Sequence, residues 1–304
     1  MKVLNFGSLN YDYVYQVEHI MRPGETQASQ DLKLFCGGKG LNQSIALSKA
    51  GVAVYHAGTI GEEGDELLGV CRKYGVNTEF IRRIPGRSGH TIIQVDRNAQ
   101  NCILLYGGAN RAQSRDYMDE VLDHFSAGDL LLLQNEINDL DYLIEQAWRK
   151  KMKIILNPSP FDENLDLCDL SKIDIFMMNE TEGAQIAGVQ ETEKILETMK
   201  KRYPDAEVVL TLGEQGAIYQ TGNRLIRQAA VPVSAVDTTA AGDTFTGYFA
   251  AGLVEGRDAQ EIMQICAVAS AITVTRAGAA ESIPEAEEVN EFITVRQLLA
   301  KDLK

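Results

Sequence analysis

Residues 129–160 read "DLLLLQNEINDLDYLIEQAWRKKMKIILNPSP". The four leucines at 130–133 are too short a run for a helix and show no polar alternation, the pattern of a strand buried on both faces. Between Asp139 and Lys151 the apolar residues return at helical spacing, and "KIIL" (153–156) opens a second short apolar run. Strand, amphipathic helix, strand is a βαβ unit with its strands parallel. Trp148 rides on that helix and is expected in the core.

The same rhythm extends in both directions. "VAVYHAGTI" (52–60) precedes the helical "GDELLGVCRKYG" (64–75); "IDIFMMNETE" (173–182) precedes "TEKILETMKKRY" (192–203), which leads to "AEVVLTLG" (206–213) and the strand-like "GAIYQTG" (216–222). An α/β fold with a doubly wound, mostly parallel sheet is expected. Two stretches break the rhythm, 11–36 ("YDYVYQVEHI" with "QASQDLKLFC") and 88–108 ("SGHTIIQVDRNAQNCILLYGG"). Both are rich in β-branched and aromatic residues without helical period, and the second reads as two strands about an "RNAQN" turn. They are expected to form a small separate β sheet, a lid over a core of residues 1–10, 37–87 and 109–304. Edge strands of the main sheet are the alternative.

A chain of 304 residues, 45% hydrophobic, can bury a large core. Its formal charge of -14 opposes nucleic acid as a partner, and an anionic substrate must be met by a local device such as a helix N-terminus or a metal ion. The five cysteines form no C-x-x-C pair, which suits reduced thiols in the cytoplasm. No apolar run is long enough to cross a bilayer, and no secretion signal is recognisable, so a cytoplasmic location without membrane partners is expected.

In an open α/β sheet, ligands bind beyond the carboxyl ends of the strands. The polar stretches there are "GSLNYD" (7–12), "QNE" (134–136), "NPSP" (157–160), "NETE" (179–182) and "TLGEQG" (211–216). A further stretch, "DTTAAGDTF" (237–245), turns from an extended segment, Val231 to Val236, into a helix beginning near Ala241. Asp243 in that first turn has an ordinary reading, an acid placed by the helix dipole. Small residues ahead of it have a second one, because they leave backbone N–H groups open to an anion. A carboxylate beside an anion site suits phosphoryl transfer to an alcohol, with the helix N-terminus expected to keep the carboxylate ionised.

"GGKGLNQS" (37–44) is neither a Walker A loop nor a G-x-G-x-x-G motif. It reads either as a tight strand-to-helix turn or as a backbone approach to a polyol, with Asn42 adding a hydrogen bond. Asn10 and Asp12 suit vicinal hydroxyls. "NETE" offers oxygen ligands for Mg²⁺ or simply an acidic helix start. The four histidines show no ligand spacing.

Taken in order, "GSLNYD", "PGET", "GGKGLNQS", "GGAN", "NPSP", "NETE", "TLGEQGA", "VDTTAAGDTFTG" and "TRAGAAESIP" resemble the PfkB carbohydrate kinase family, and within it the ribokinases, over essentially the whole chain. The resemblance implies ATP, Mg²⁺ and K⁺, with the γ-phosphoryl group passing to a sugar's primary hydroxyl. D-Ribose, giving ribose 5-phosphate, is the expected acceptor, with fructose, another sugar or a nucleoside as alternatives. It implies Asp243 as catalytic base, with Ala240, Ala241 and Gly242 as the anion hole. Sugar-binding positions would be Asn10, Asp12, Gly38, Lys39, Asn42 and Glu136. Nucleotide contacts would be Asn179, Thr211, Leu212, Gly213, Glu214, Gln215, Gly216 and Gly242, with Glu182 reaching Mg²⁺ through water. The monovalent cation would lie among Asp237, Thr239, Thr273, Arg276, Gly278 and Ser282. A homodimer joined through the lids is also implied. Tyr11 and Arg111 depart from the pattern, standing where ribokinases commonly carry small residues, and are expected to reshape the lid or sugar pocket. The competing class is a non-catalytic sugar or nucleotide sensor, against which the intact "AAGD" argues.

Overall fold

The computed structural model describes residues 1–98 and 100–302. Its main sheet has nine strands: β1 (Val3–Phe6), β4 (Val54–Ile60), β5 (Asn77–Arg83), β8 (Leu130–Gln134), β9 (Lys153–Asn157), β10 (Ile175–Asn179), β11 (Glu207–Thr211), β12 (Ala217–Thr221) and β13 (Arg224–Gln228). Their spatial order is β13-β12-β11-β10-β9-β8-β1-β4-β5. All neighbours from β11 to β5 are parallel, and β12 and β13 close one edge antiparallel. The second sheet joins β2 (Asn10–Gln16), β3 (Asp31–Gly37), β6 (Gly89–Val95) and β7 (Asn101–Tyr106) in the order β3-β2-β6-β7. The two irregular stretches thus form a sheet of their own; Ala99, in the turn expected between β6 and β7, lies outside the described residues.

Helices cover both faces of the main sheet: α1 (Lys39–Lys49), α2 (Asp65–Lys73), α3 (Arg115–Leu122), α4 (Leu140–Arg149), α5 (Glu180–Ala187), α6 (Thr192–Arg202), α7 (Ala241–Val254), α8 (Ala259–Val274) and α9 (Ala286–Asp302). Alternate residues of each strand feed two apolar cores. Val3, Leu130, Leu132, Ile155 and Val209 pack with α1, α7 and α8, while Leu4, Phe6, Leu131, Leu133 and Leu156 pack with α3 to α6. The leucine run is buried on both faces because each face carries a helical layer.

One detail differs from expectation. Trp148 is 51% exposed: α4 buries Leu140, Leu143, Ile144 and Ala147, and the tryptophan falls beside that stripe, where the Lys172 ammonium lies 5.0 Å from its ring. Residues 231–236 precede α7 but join neither sheet, and their valines are partly or largely exposed. β13 carries too short an alternation to stand out in the sequence; its place is set by the Thr221–Arg224 pairing with β12.

Candidate active site

The carboxyl ends of β9, β10 and β11 and the N-termini of α1 and α7 meet around a cleft. Lys39, Asn157, Ser159, Asn179, Glu182, Thr211, Ala240, Gly242, Asp243 and Thr246 line it. Asn157, Ser159, Asn179, Glu182 and Thr211 belong to three of the polar stretches expected along this rim, whereas residues 7–12 and 134–136 are not in the cleft lining.

α7 begins through a left-handed residue, Ala240 at φ 60°, which folds the chain sharply into the helix. Ala241 N–H donates to Thr238 O at 3.3 Å and Thr244 N–H to Ala240 O at 2.8 Å. Among the described residues the N–H groups of Gly242 and Asp243 have no acceptor. Gly242 is exposed and lines the cleft, and a side chain there would meet nothing within 4 Å. The amides of Gly242 and Asp243 are therefore free at this turn, while the Ala241 amide, expected to belong to an anion hole, is occupied within it.

The Asp243 carboxylate is held from α1: Asn42 Nδ2 donates to Oδ2 and Gln43 Nε2 to Oδ1, both at 2.9 Å. Burial pushes its pKa up, opposed by Lys39 and by the two amide donors. The helix N-terminus is expected to keep this group ionised; withdrawal from water acts the other way on its pKa and makes the carboxylate a stronger base.

α1 owes its position to glycine. Gly38 has φ 94°, and any Cβ there would stand 3.0 Å from Ser8 Oγ and 3.2 Å from Asn10 N. Gly40 touches the backbone of Gly7 and Ser8. These contacts lay the start of α1 across the end of β1, bringing Lys39 Nζ to 3.7 Å from Glu136 Oε1 and Lys39 N–H to 3.1 Å from Glu136 Oε2. Ser8 donates its hydroxyl to the same Glu136 oxygen. Burial opposes charge on Lys39, yet Glu136, Asp243, Glu182 and Asp12 together hold its pKa above the usual value.

Asn10 and Asp12 enter from β2. Asn10 Oδ1 accepts from Asn110 Nδ2 at 2.7 Å and Asp12 Oδ1 from Thr91 Oγ1 at 2.5 Å. Burial raises the Asp12 pKa to about 6, with Glu136 and Asp243 adding to the shift and Thr91 and Lys39 opposing it. Asn42 Oδ1 is buried without a partner, an acceptor left for a donor the protein does not supply.

The sequence model described as pfkB family carbohydrate kinase matches residues 1–286. The chain belongs to the pfkB family of carbohydrate kinases. The ribokinase of Staphylococcus aureus is 34% identical over 303 residues, covering 95% of this chain and 99% of the relative. The deoxyribokinase of Salmonella typhi is 29% identical over 306 residues, covering 98% and 100%. Among solved structures, ribokinase from Thermotoga maritima matches with a TM-score of 0.86 at 32% identity, covering 97% of this chain and 99% of that one. Arabidopsis thaliana ribokinase complexed with ribose and ATP matches with a TM-score of 0.84 at 30% identity, covering 95% and 97%. This carbohydrate kinase is a ribokinase-like phosphotransferase with an alcohol group as acceptor.

The residues expected to contact the nucleotide fall into three local settings. Asn179 and Glu182 form a reciprocal capping box on α5: Glu182 N–H donates to Asn179 Oδ1, and Glu182 Oε2 accepts from Asn179 N–H, both at 2.9 Å. Both nevertheless line the cleft. Thr211 does too, while Leu212 packs into the core and Gly213, Glu214 and Gln215 form an exposed 3-10 turn. Gly216, at φ 101°, closes that turn through its carbonyl, which accepts from Leu212 N–H at 2.8 Å.

The Asp237 turn and the 273–282 loop do meet. Asp237 Oδ2 accepts from Gly278 N–H at 3.0 Å, and Oδ1 from the Thr239 amide and hydroxyl. Thr273 Oγ1 donates inside α8 to Ala269 O, Ser282 Oγ donates to Ala279 O, and Arg276 pairs with Glu288. These side chains are engaged within the protein.

Tyr11 faces away from Asp12. Successive β2 residues face opposite sides; Asp12 reaches the cleft side, and Tyr11 packs into the core, its hydroxyl donating to Glu63 O at 2.9 Å. Arg111 lies behind the pocket: its guanidinium donates to Ile137 O at 3.0 Å and to Asn135 O at 3.4 Å, on both sides of Glu136. Ser8, Gln43, Thr91 and Asn110 complete the site and carry no motif that would single them out; a serine or amide is ordinary at any turn or helix start.

Proposed function

We propose that the protein transfers the γ-phosphoryl group of ATP to the primary hydroxyl of D-ribose, giving ribose 5-phosphate and ADP. The observation that carries this reading is the convergence at one cleft of two acceptor-free amides, Gly242 and Asp243, with the Asp243 carboxylate. The hydroxyl oxygen bonds to the γ-phosphorus while the bond to the bridging oxygen breaks, that oxygen leaves with ADP, and the hydroxyl proton passes to Asp243. The two amides and the α7 N-terminus meet the charge on the phosphoryl oxygens. Lys39 neutralises part of the negative field of Asp12, Glu136 and Asp243 that would otherwise repel a triphosphate.

Ribose would be held by Asn10, Asp12, Asn42 and Glu136, with Gly38 and Lys39 presenting backbone beside it. The unpartnered Asn42 Oδ1 supports a hydroxyl donor there. Support for ribose over its deoxy analogue comes from the ribokinases of Staphylococcus aureus and Haemophilus influenzae, 34% and 32% identical against 29% for the deoxyribokinase, and from the Arabidopsis complex with ribose and ATP. The nucleotide would lie along Asn179, Thr211 and the 213–216 turn.

No group of three or more acidic, histidine or cysteine side chains able to hold a metal occurs among the described residues. Mg²⁺ therefore fits as an ion carried chiefly by phosphates, with Glu182 near it through water. With the Thr273, Arg276 and Ser282 side chains engaged, K⁺ between the Asp237 turn and the 273–282 loop would be held chiefly by main-chain carbonyls. Substituting tetramethylammonium for K⁺ should lower turnover, and equal rates would remove the ion from this reading.

The smaller sheet is read as a lid of residues 11–36 and 88–108. Thr91 and Leu105 share the Asp12 face, while Leu34, Ile92 and Leu104 form an exposed apolar row on the other. That row supports a homodimer through the lids, which Leu104→Glu should dissociate in light scattering. The five unpaired cysteines suit the cytoplasm.

The deciding experiment measures ADP release with D-ribose, 2-deoxy-D-ribose, D-fructose and nucleosides, alongside Asp243→Asn. Turnover should be highest with ribose and lost in the variant, with calorimetric binding of ribose and ATP retained. An active Asp243→Asn would refute the base assignment, and a silent panel with intact binding would favour a sensor.

A further inference from the structure

Behind Asp243 a chain of buried hydrogen bonds runs through the middle of the main sheet. Gln43 Nε2 donates to Asp243 Oδ1 at 2.9 Å, and Gln43 Oε1 accepts from Gln134 Nε2 at 2.7 Å. Gln134 Nε2 gives its other hydrogen to Asn5 Oδ1 at 2.9 Å. Asn5 Nδ2 spends both of its own on Gly40 O at 2.7 Å and Ser44 Oγ at 2.8 Å. Ser44 Oγ lies 2.8 Å from His56 Nδ1. Asn5, Gln43, Ser44, His56 and Gln134 are all fully buried.

The direction of every amide bond in this chain is forced. An ionised carboxylate only accepts, so Gln43 must turn its NH₂ toward Asp243 and its carbonyl toward Gln134. Gln134 must then donate to both Gln43 and Asn5, and Asn5 must donate to Gly40 O and Ser44. Burial pushes the pKa of His56, at the end of the chain, down to about 4. Reversing any one amide sets two acceptors face to face among fully buried residues. The chain spans α1, β1, β4 and β8, so its polarity is fixed by the sheet rather than by the α1 surface alone.

We infer that Gln43, with its orientation locked by Gln134, is a positioning residue for phosphoryl transfer: it fixes the Asp243 carboxylate and tempers its basicity. The inference rests on Asp243 being the base. Gln43 touches neither the phosphate nor the sugar site; it loads Oδ1 with one donor, as Asn42 loads Oδ2, and leaves the remaining lone pairs to the acceptor hydroxyl. The other charges facing Asp243 are Lys39 from α1, Glu136 after β8, Asp12 from β2 and Glu182 from α5, and none of them belongs to the chain.

The test compares Gln43→Leu, Gln134→Leu and Asp243→Asn in the full-length protein, with melting temperatures recorded for each. Gln43→Leu should lower kcat at least tenfold, leave the KM values for ATP and ribose within about twofold, and move the acidic limb of the kcat–pH profile to higher pH, since a donor to the carboxylate is lost. Gln134→Leu, which touches Asp243 only through Gln43, should shift both readouts the same way by a smaller factor; it also decides the question if Gln43→Leu fails to fold. Wild-type kcat and pH profile in the folded variants would overturn the inference, as would a fall in kcat with the acidic limb unmoved. An active Asp243→Asn would instead refute the base assignment itself, a result separable from these.

Discussion

Gly247 of α7 lies against Ala46 of α1 so closely that no side chain fits between them. A Cβ on residue 247 would press on the Ala46 methyl and stand 2.9 Å from Leu47 N and 3.0 Å from Gln43 O. This contact sets the separation of the two helices whose first turns carry Asp243 on one side and Asn42 and Gln43 on the other. Gly247→Ala should therefore destabilise the protein by about 1–3 kcal/mol through overpacking. It should also lower kcat beyond any loss of folded protein, because the donors to Asp243 move with α1. Denaturant unfolding and ADP release on the same preparation check both; an unfolding midpoint equal to wild type would show that α1 gives way freely.

Ala240 occupies the left-handed region at φ 60°, where a methyl group is tolerated and a branched side chain is not. Its conformation starts α7, whose first turn brings Gly242 and Asp243 to the cleft. Ala240→Val should cost about 1–3 kcal/mol of stability and reduce kcat with ribose at saturating ATP. Ala240→Gly should keep near-normal turnover. The pair separates backbone conformation from side-chain contact, and equal activity in the two variants would count against the turn as the origin of the anion site.

The α/β layering was legible because buried parallel strands and amphipathic helices each leave a periodic signal, as at 130–133 and 139–151. Asp243 and Asn42 were legible for a different reason: each stands in a stretch whose small residues have no other obvious use. Gln43, Gln134 and Asn5 were not, since their roles arise only when residues 91 and 129 positions apart are brought together by the sheet. Trp148 failed as a core residue because one step along a helix turns a side chain through about 100°, enough to leave the α4 stripe. The occupied Ala241 amide could not be foreseen, as it follows from the left-handed turn at Ala240.

Arg111 grips the carbonyls on both sides of Glu136 and stands 3.7 Å from Asp162. Asp162 in turn accepts from Asn135 Nδ2 at 2.7 Å, so the loop after β8 is held from two directions. Arg111→Ala should raise the KM for the sugar about tenfold or more as Glu136 loses its fixed place, with a smaller effect on the KM for ATP. Arg111→Lys should recover only part of the loss, because an ammonium cannot span two carbonyls as the planar guanidinium does. Steady-state kinetics on both variants test this, and an unchanged sugar KM in Arg111→Ala would assign the residue to stability alone.

Asp12 gives a pH signature that can be read without turnover. Its pKa is raised to about 6 from a usual value near 3.8, with burial the largest cause. A carboxyl raised on folding binds its proton more tightly in the native state. Its favourable contribution is therefore complete below about pH 4 and is lost as pH climbs through about 6. Two pK units correspond to roughly 3 kcal/mol at most. Asp12→Asn removes the charge while keeping an oxygen for Thr91 Oγ1. The ligand-free variant should match wild type in stability near pH 4, gain on it steadily between pH 4 and 7, and hold a constant advantage above that. The same substitution should weaken ribose binding, the expected exchange of stability for function at a buried charge. Urea unfolding from pH 4 to 8 supplies the measurement, and a stability difference independent of pH would mean that the Asp12 carboxyl is solvated in the open protein.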